Sequence, residues 1–478
     1  MPDNKYTFGM IGLGTMGRNL LLNMADHGFK GAGYDKDTSK LDLLHSEGEG
    51  KPVQGFPTLP EFVSSLQKPR ALMMLVPAGK IVDSVIEDLI PLMEEGDIII
   101  DGGNSHFTDT DRRVAYLQTK KLHFFGMGIS GGEEGARKGP SMMPGGDKEA
   151  YSYVENIFNA IAAQVDGEPC VTYIGPGASG HFVKMVHNGI EYGLMQLIAE
   201  TYGLLKNGLQ LDDQAIQQVF TKWNEGKLKS YLLDITKDIF NFKEEGSNEL
   251  LLDTIKDEAR AKGTGKWTSQ IAMDLETPVP TIDTAVSMRD LSKYKDLRVK
   301  LSEIYSEQLP LSTQNKDDFI NHMEQALYFN MIMTYTQGMH LLFKASVAYN
   351  YNLNLAAIAS IWRGGCIIRS EFLNVITKAY NDNNKLELLL TDGTVQGLVK
   401  EAESSVRTVL TAAIQAGISV PAYASCLSYY DTFRTKNMPS NLIQAQRDYF
   451  GAHTYELIGK EGTFHTEWQA IPSHKTNN

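Results

Sequence analysis

Cysteine is scarce: Cys170, Cys366 and Cys426 are the three in 478 residues, they form no CxxC pair, and no HExxH or Cys/His run with metal spacing appears. Neither a structural zinc nor any other bound metal is expected. Long apolar runs are missing too, since no stretch approaches 18 uninterrupted apolar residues. Met1 to Tyr6 lacks a basic segment leading into an apolar one, so neither a membrane span nor a secretory leader is expected. Positive charge is in deficit, with 45 Lys and Arg against 58 Asp and Glu and a net charge of -13. That balance argues against nucleic acid or an anionic membrane as partner, and an anionic substrate would need a local cluster of Lys and Arg. The expectation is a protein of the reducing cytoplasm.

What is present fills more than one core: 42% apolar residues over 478 positions predict two or three domains. The first third alternates short apolar runs (Tyr6 to Ile11, Phe29 to Tyr34, Ala71 to Val76, Asp97 to Ile100, Leu122 to Met127) with helically spaced stretches such as Met16 to His27 and Ile81 to Met93. A βαβ pattern of this kind predicts a doubly wound parallel sheet. Near Gly175-Pro176-Gly177 the alternation stops, and from about Ser179 to Lys436 the spacing is almost entirely helical. The expected organisation is an α/β doubly wound Rossmann-type domain over 1–178, an all-helical domain over 179–436 and a tail over 437–478. Gly193 to Ile198 resembles Gly338 to Phe343, a hint of a duplicated helical unit. The tail mixes Pro439, Gly451, Gly459 and Gly462 with aromatics, a composition expected to pack on something.

Gly12-Leu13-Gly14-Thr15-Met16-Gly17 follows a predicted strand and opens a predicted helix, the context in which GxGxxG denotes dinucleotide binding. Gly12 permits the turn, Gly14 lets a pyrophosphate approach the backbone, and Gly17 lets helix pack on strand. Asp35, 18 positions after Gly17, can accept hydrogen bonds from the adenosine ribose and would repel a 2′-phosphate. Lys36 beside it could pair with such a phosphate, so the expectation is NAD as preferred cofactor with NADP possible. Ligands of such sheets lie beyond the carboxyl ends of the strands, which nominates Val76-Pro77-Ala78, Asp101-Gly102-Gly103-Asn104 and Ser130-Gly131-Gly132. Each of these could equally be an ordinary turn.

On the helix predicted from Gly180 to Leu205, Lys184, His187, Asn188 and Glu191 fall at i, i+3, i+4 and i+7 and share one face. That stripe points either to solvent or into a cleft. In a cleft, burial would ease proton loss from the lysine and delay it from the glutamate, giving a matched base and acid near neutral pH.

The segment from His181 to Tyr192 (HFVKMVHNGIEY) resembles the signature of the 6-phosphogluconate dehydrogenases. Similar blocks follow in the family's order: Asp101-Gly-Gly-Asn104-Ser105, Ser130 to Arg137, Lys262-Gly-Thr-Gly-Lys-Trp267, Ile361 to Arg369 and Gln444 to His453. The resemblance implies oxidative decarboxylation of 6-phospho-D-gluconate to D-ribulose 5-phosphate in the pentose phosphate pathway, with Lys184 as general base and acid, Glu191 as general acid, and no metal. It assigns Asn104, Ser130, Gly131, Gly132, His187 and Asn188 to the sugar-acid end. Tyr192, Lys262, Thr264, Arg289, Arg447 and His453 would hold the phosphate and distal hydroxyls, and the family's habit implies a homodimer whose tail reaches the partner subunit. Lys262-Gly263-Thr264-Gly265 also reads by itself as an anion loop, whereas Arg289 and Arg447 taken singly look like ordinary surface arginines. Two positions depart from the family. Asp35-Lys36-Asp37 stands where NADP-using members carry an Asn-Arg-Thr-like triplet, and Pro77 stands where relatives often carry lysine. The competing readings are a short-chain β-hydroxyacid dehydrogenase, which lacks the large helical extension and the tail, and a catalytically silent dinucleotide-binding scaffold.

Overall fold

The computed structural model describes residues 5–247, 249–305, 309–313 and 315–468. Its centre is a seven-stranded sheet of β1 (Phe8–Ile11), β2 (Gly31–Tyr34), β3 (Val53–Phe56), β4 (Ala71–Met74), β5 (Ile98–Asp101), β6 (His123–Ser130) and β7 (Ser141–Gly146), in the order β3-β2-β1-β4-β5-β6-β7. The first six strands run parallel and β7 is antiparallel to β6. β1, β4 and β5 are buried along their whole length, as a parallel sheet covered on both faces requires. Alternate residues feed opposite cores: Met10, Met73, Ile100 and Phe125 enter one, Ile11, Leu72, Ile99 and Phe124 the other.

Two strands of this sheet were not expected from the sequence, nor were the two short antiparallel pairs that follow it. β3 is a half-exposed edge of Val, Gln, Gly and Phe. β7 reads Ser-Met-Met-Pro-Gly-Gly and is wholly buried; proline and glycine inside a run argue against a strand. The structure accommodates them because the outer side of β7 is covered by the following segment, where Met142 N–H donates to Cys170 O (3.0 Å), Ile174 N–H to Pro144 O (2.8 Å) and Gly146 N–H to Gly175 O (2.9 Å). Gly145 leaves room for the next element, since a Cβ there would lie 2.1 Å from Gly180 N. A short antiparallel pair, β8 (Gln164–Val165) and β9 (Glu168–Pro169), precedes that covering segment.

The helix Ser179–Gly203 therefore starts directly on the sheet, and a Cβ at Gly128 of β6 would fall 2.3 Å from Lys184 Cβ. It crosses the 33-residue helix Lys316–Ala348, which is buried without interruption from Ala326 to Leu342, the mark of a central helix rather than a surface one. Gly193 and Gly338, nominated by the apparent repeat, both lie at this crossing: an added Cβ would meet Thr334 Cγ2 at 2.6 Å and Ile190 Cδ1 at 2.4 Å respectively. Helices elsewhere in this region begin at side-chain caps such as Asp212, Ser230, Asn354 and Asp392.

The chain forms two compact units, one running to Cys426 and one starting at Leu427. Sheet and helical region share the first. The second contains the helix Ser440–Gly451 and an antiparallel hairpin of β10 (Tyr455–Leu457) and β11 (Lys460–Phe464). Among the described residues no helix is long and apolar enough to cross a membrane.

Candidate active site

The strand order reverses between β1 and β4, so their carboxyl ends flank the crevice in which a doubly wound sheet binds its ligand. Gly12, at φ 90°, leads the turn out of β1, and a Cβ on it would lie 2.4 Å from Leu75 O on the way into Val76-Pro77-Ala78. A Cβ at Gly17 would strike Gly12 O at 1.9 Å, so loop and helix pack backbone to backbone. Gly14 faces open space, and the helix Thr15–Asp26 behind it carries no side-chain cap and no acidic residue in its first turn. An uncapped 12-residue helix N-terminus under an open glycine fits a dinucleotide pyrophosphate. Thr15 and Met16 form its first turn. Asp35 follows β2, its Oδ2 accepting from Leu13 N–H (2.7 Å) and its Oδ1 from Asp37 N–H (2.9 Å), so the carboxylate is fixed beside the fingerprint loop. Lys36 is exposed and lies 3.8 Å from Asp88.

The next two loops are tied together by Arg113, a residue the sequence reading did not nominate. Its Nη1 donates to Asp101 Oδ2 (3.4 Å) and Ser105 Oγ (3.1 Å), its Nη2 to Gly79 O (3.0 Å) and its Nε to Asp83 Oδ1 (2.8 Å). Arg113 and Asp101 are both buried, so this ion pair holds the loop bearing Asn104 against the loop bearing Val76, Pro77 and Ala78. Asn104, Pro77 and Ala78 are themselves exposed.

The polar stripe of the Ser179–Gly203 helix faces inward. Lys184 is 7% exposed and His187 0%, with Asn188 buried and Glu191 half-buried. Lys184 has no hydrogen-bond partner among the described residues; burial lowers its pKa, opposed by the charge of Glu191 and by Cys366. Burial raises the pKa of Glu191, opposed by Lys184 and Arg289. Burial and the neighbouring Lys184 bring His187 well below its ordinary value, so its ring is neutral. A neutral imidazole has one donor and one acceptor. Nδ1 lies 3.1 Å from Asn188 Oδ1 and is the donor; Nε2, 3.3 Å from Ser130 Oγ, accepts. Asn188 Nδ2 then donates to Thr264 Oγ1 (3.2 Å), so one chain of hydrogen bonds runs from the end of β6 to the helix Thr264–Asp274.

The block from Ile361 to Arg369 closes the site from another direction, although no role for its members was legible in the sequence. Trp362 meets the His187 ring edge to face at 5.5 Å, and the Cys366 thiol, pushed up to about 12 by burial, borders Lys184. Gly365 O would contact a Cβ on Gly131 at 2.5 Å, while Gly132, at φ 64°, is exposed. At the far end of the stripe the Arg289 guanidinium lies 3.5 Å above the Tyr192 ring, and its pKa is lowered by burial. Arg289 is therefore a half-buried stacked cation, not the ordinary surface arginine its sequence surroundings suggested. Gly265 packs on Tyr192 and Lys262 is exposed in the preceding loop. Arg447 and His453 are exposed residues of the second compact unit. Among the described residues no cluster of three His, Cys, Asp or Glu side chains could hold a metal ion.

Comparison with known proteins converges on one family. Residues 7–175 match the model of the NAD binding domain of 6-phosphogluconate dehydrogenase, and residues 180–468 that of its C-terminal domain. The chain is 50% identical to the decarboxylating 6-phosphogluconate dehydrogenase of Lactococcus lactis subsp. lactis over 96% of this chain and 98% of that one. It is 49% identical to the NADP(+)-dependent decarboxylating enzyme of Bacillus subtilis over 97% and 99%. The solved structure of Plasmodium falciparum 6-phosphogluconate dehydrogenase, described with its cofactor NADP+ and its substrate, superposes with a TM-score of 0.94 at 45% identity, covering 97% of this chain and all of that one. Half-identity along essentially the full length, with sheet and helices in the same arrangement, places this chain in the 6-phosphogluconate dehydrogenase family.

Proposed function

We propose that the protein oxidatively decarboxylates 6-phospho-D-gluconate to D-ribulose 5-phosphate and carbon dioxide, reducing a nicotinamide dinucleotide. The carrying observation is the pairing on one helix face of a buried Lys184, its pKa lowered by desolvation, with a half-buried Glu191, its pKa raised by desolvation.

A bound NAD or NADP supplies the hydride acceptor. Neutral Lys184 takes the C3 hydroxyl proton as hydride leaves C3, which yields a 3-keto acid. Carbon dioxide departs as the C1–C2 bond breaks, and its electron pair forms an enediol as protonated Lys184 returns its proton to the C3 oxygen. Glu191 protonates the terminal enediol carbon while Lys184 removes the neighbouring hydroxyl proton, leaving the ketone of the product. Ser130, His187 and Asn188 form the fixed array that orients the sugar acid, with Asn104, Gly131 and Gly132 at the same end. Tyr192, Lys262, Thr264 and Arg289 supply the cationic and hydroxyl groups for the phosphate and distal hydroxyls. No step requires a metal.

NAD is the preferred cofactor in this reading, because the Asp35 carboxylate would sit beside a 2′-phosphate. The relatives from Bacillus subtilis and Plasmodium falciparum, whose descriptions name NADP, weigh the other way. The protein acts as a homodimer, Arg447 and His453 of one copy completing the phosphate site of the other. Nicotinamide reduction and carbon dioxide release with 6-phosphogluconate, measured separately with NAD and NADP, test the reaction and the preference together. Absence of turnover with both cofactors rules out the reaction; a higher kcat/KM with NADP rules out the preference.

A further inference from the structure

The second compact unit contains a buried carboxylate that the proposed reaction does not use. Asp448 is 0% exposed and sits in the last turn of the helix Ser440–Gly451, where the helix dipole disfavours a negative charge. Four donors converge on it. Oδ1 accepts from Thr454 N–H (2.9 Å) and His465 Nδ1 (2.9 Å), and Oδ2 from Thr466 N–H (3.0 Å) and Trp468 Nε1 (2.8 Å). Burial alone would raise its pKa; these four donors outweigh burial and bring it down to about 2.

The turn it grips is strained. Ala452 (φ 50°) and Thr454 (φ 58°) both adopt the left-handed region, and His453 lies between them. Residues other than glycine rarely adopt that region, and such conformations persist where surrounding contacts over-determine them. The Thr454 peptide is held from both ends: its N–H by Asp448, its carbonyl by Gln444 Nε2 at 2.6 Å. Gln444 Oε1 accepts in turn from Arg447 Nη1 at 3.1 Å. Exposed as they are, Arg447 and His453 are therefore both placed by the same two buried or half-buried side chains.

We infer that Asp448, with Gln444, is a positioning residue for substrate recognition: it fixes the strained turn so that Arg447 and His453 are presented together to the phosphate end of the substrate. The inference rests on the reading that these two residues serve the substrate. Its mark is a substrate KM that rises while kcat and the cofactor KM hold, because the carboxylate touches neither the reacting carbons nor the dinucleotide.

The test compares steady-state kinetics of the full-length enzyme with the variants Arg447→Ala, Asp448→Asn and Trp468→Phe. Asp448→Asn keeps the shape and halves the acceptor capacity, and should raise the KM for 6-phosphogluconate about tenfold or more, with kcat within about threefold of wild type. Trp468→Phe removes one donor and keeps an aromatic ring, and should raise that KM about threefold. Adding Asp448→Asn to the double variant Arg447→Ala/His453→Ala should make it no worse, since Asp448 acts through those two residues. If Asp448→Asn does not fold, Trp468→Phe decides, and an unchanged KM overturns the inference. An Arg447→Ala defect without any Asp448→Asn defect overturns the inference alone. A wild-type KM for Arg447→Ala overturns the underlying reading, and the inference with it.

Discussion

At the scale of single residues the chemistry depends on where a lysine and a glutamate spend their protons. The competent state has Lys184 neutral and Glu191 protonated, and burial favours both. Activity should fall on the acid side as Lys184 takes up a proton and on the alkaline side as Glu191 ionises, with apparent values that belong to the pair. The residual activity of Glu191→Gln should rise with pH to a plateau; a retained alkaline decline would show that Glu191 is not the group responsible. Lys184→Met should lose roughly 10²- to 10⁴-fold in kcat yet bind cofactor normally, and a variant within about threefold of wild type sinks the assignment. Asp35→Asn should shift the ratio of kcat/KM values toward NADP, because a carboxylate held by Leu13 N–H and Asp37 N–H cannot turn away from a 2′-phosphate. The identities and spacing of these residues were legible in the sequence. Whether the stripe faced water was not, because helical period says which residues share a face and nothing of what covers it.

At the scale of elements, the site depends on loops held in register by buried polar contacts. Arg113 joins the segment after β4 to the segment after β5, and its pairing with Asp101 lies wholly inside the protein. Arg113→Met would leave Asp101 as a buried unpaired charge, a loss of about 3–5 kcal/mol in unfolding free energy, read from the denaturant midpoint at constant slope. A loss below about 1 kcal/mol would show that water or another group satisfies Asp101. Parallel strands β1, β4 and β5 were readable because a strand buried on both faces is a continuous apolar run. β7 was not, because Pro144, Gly145 and Gly146 suit a turn until the covering segment from Cys170 to Gly175 supplies partners. Arg113 and the Ile361–Arg369 block escaped a role for a related reason: an arginine among helical residues, or a Trp-Arg-Gly-Gly run, has no chemistry until something is packed on it.

At the scale of the whole molecule, the shared-site reading makes a quantitative prediction. At substrate well below KM, where rate follows kcat/KM, Lys184→Met and Arg447→Ala homodimers should each be nearly inactive. After subunit exchange half the dimers are mixed, and each mixed dimer holds one intact site, so about a quarter of all sites should recover wild-type activity. No recovery after verified exchange would place Arg447 in the site of its own subunit. Sequence alone determined the succession of a βαβ region, a long helical region and an aromatic tail, the dinucleotide fingerprint, and the residue types that carry the acid and base, because periodicity and motif spacing are local properties of the chain. Tertiary structure alone decided that Lys184 and His187 are buried, that Arg289 stacks on Tyr192, and that Asp448 gathers its four donors. Desolvation and hydrogen bonding depend on groups distant in sequence, and until folding brings those groups together a lysine or an aspartate has only its ordinary proton affinity.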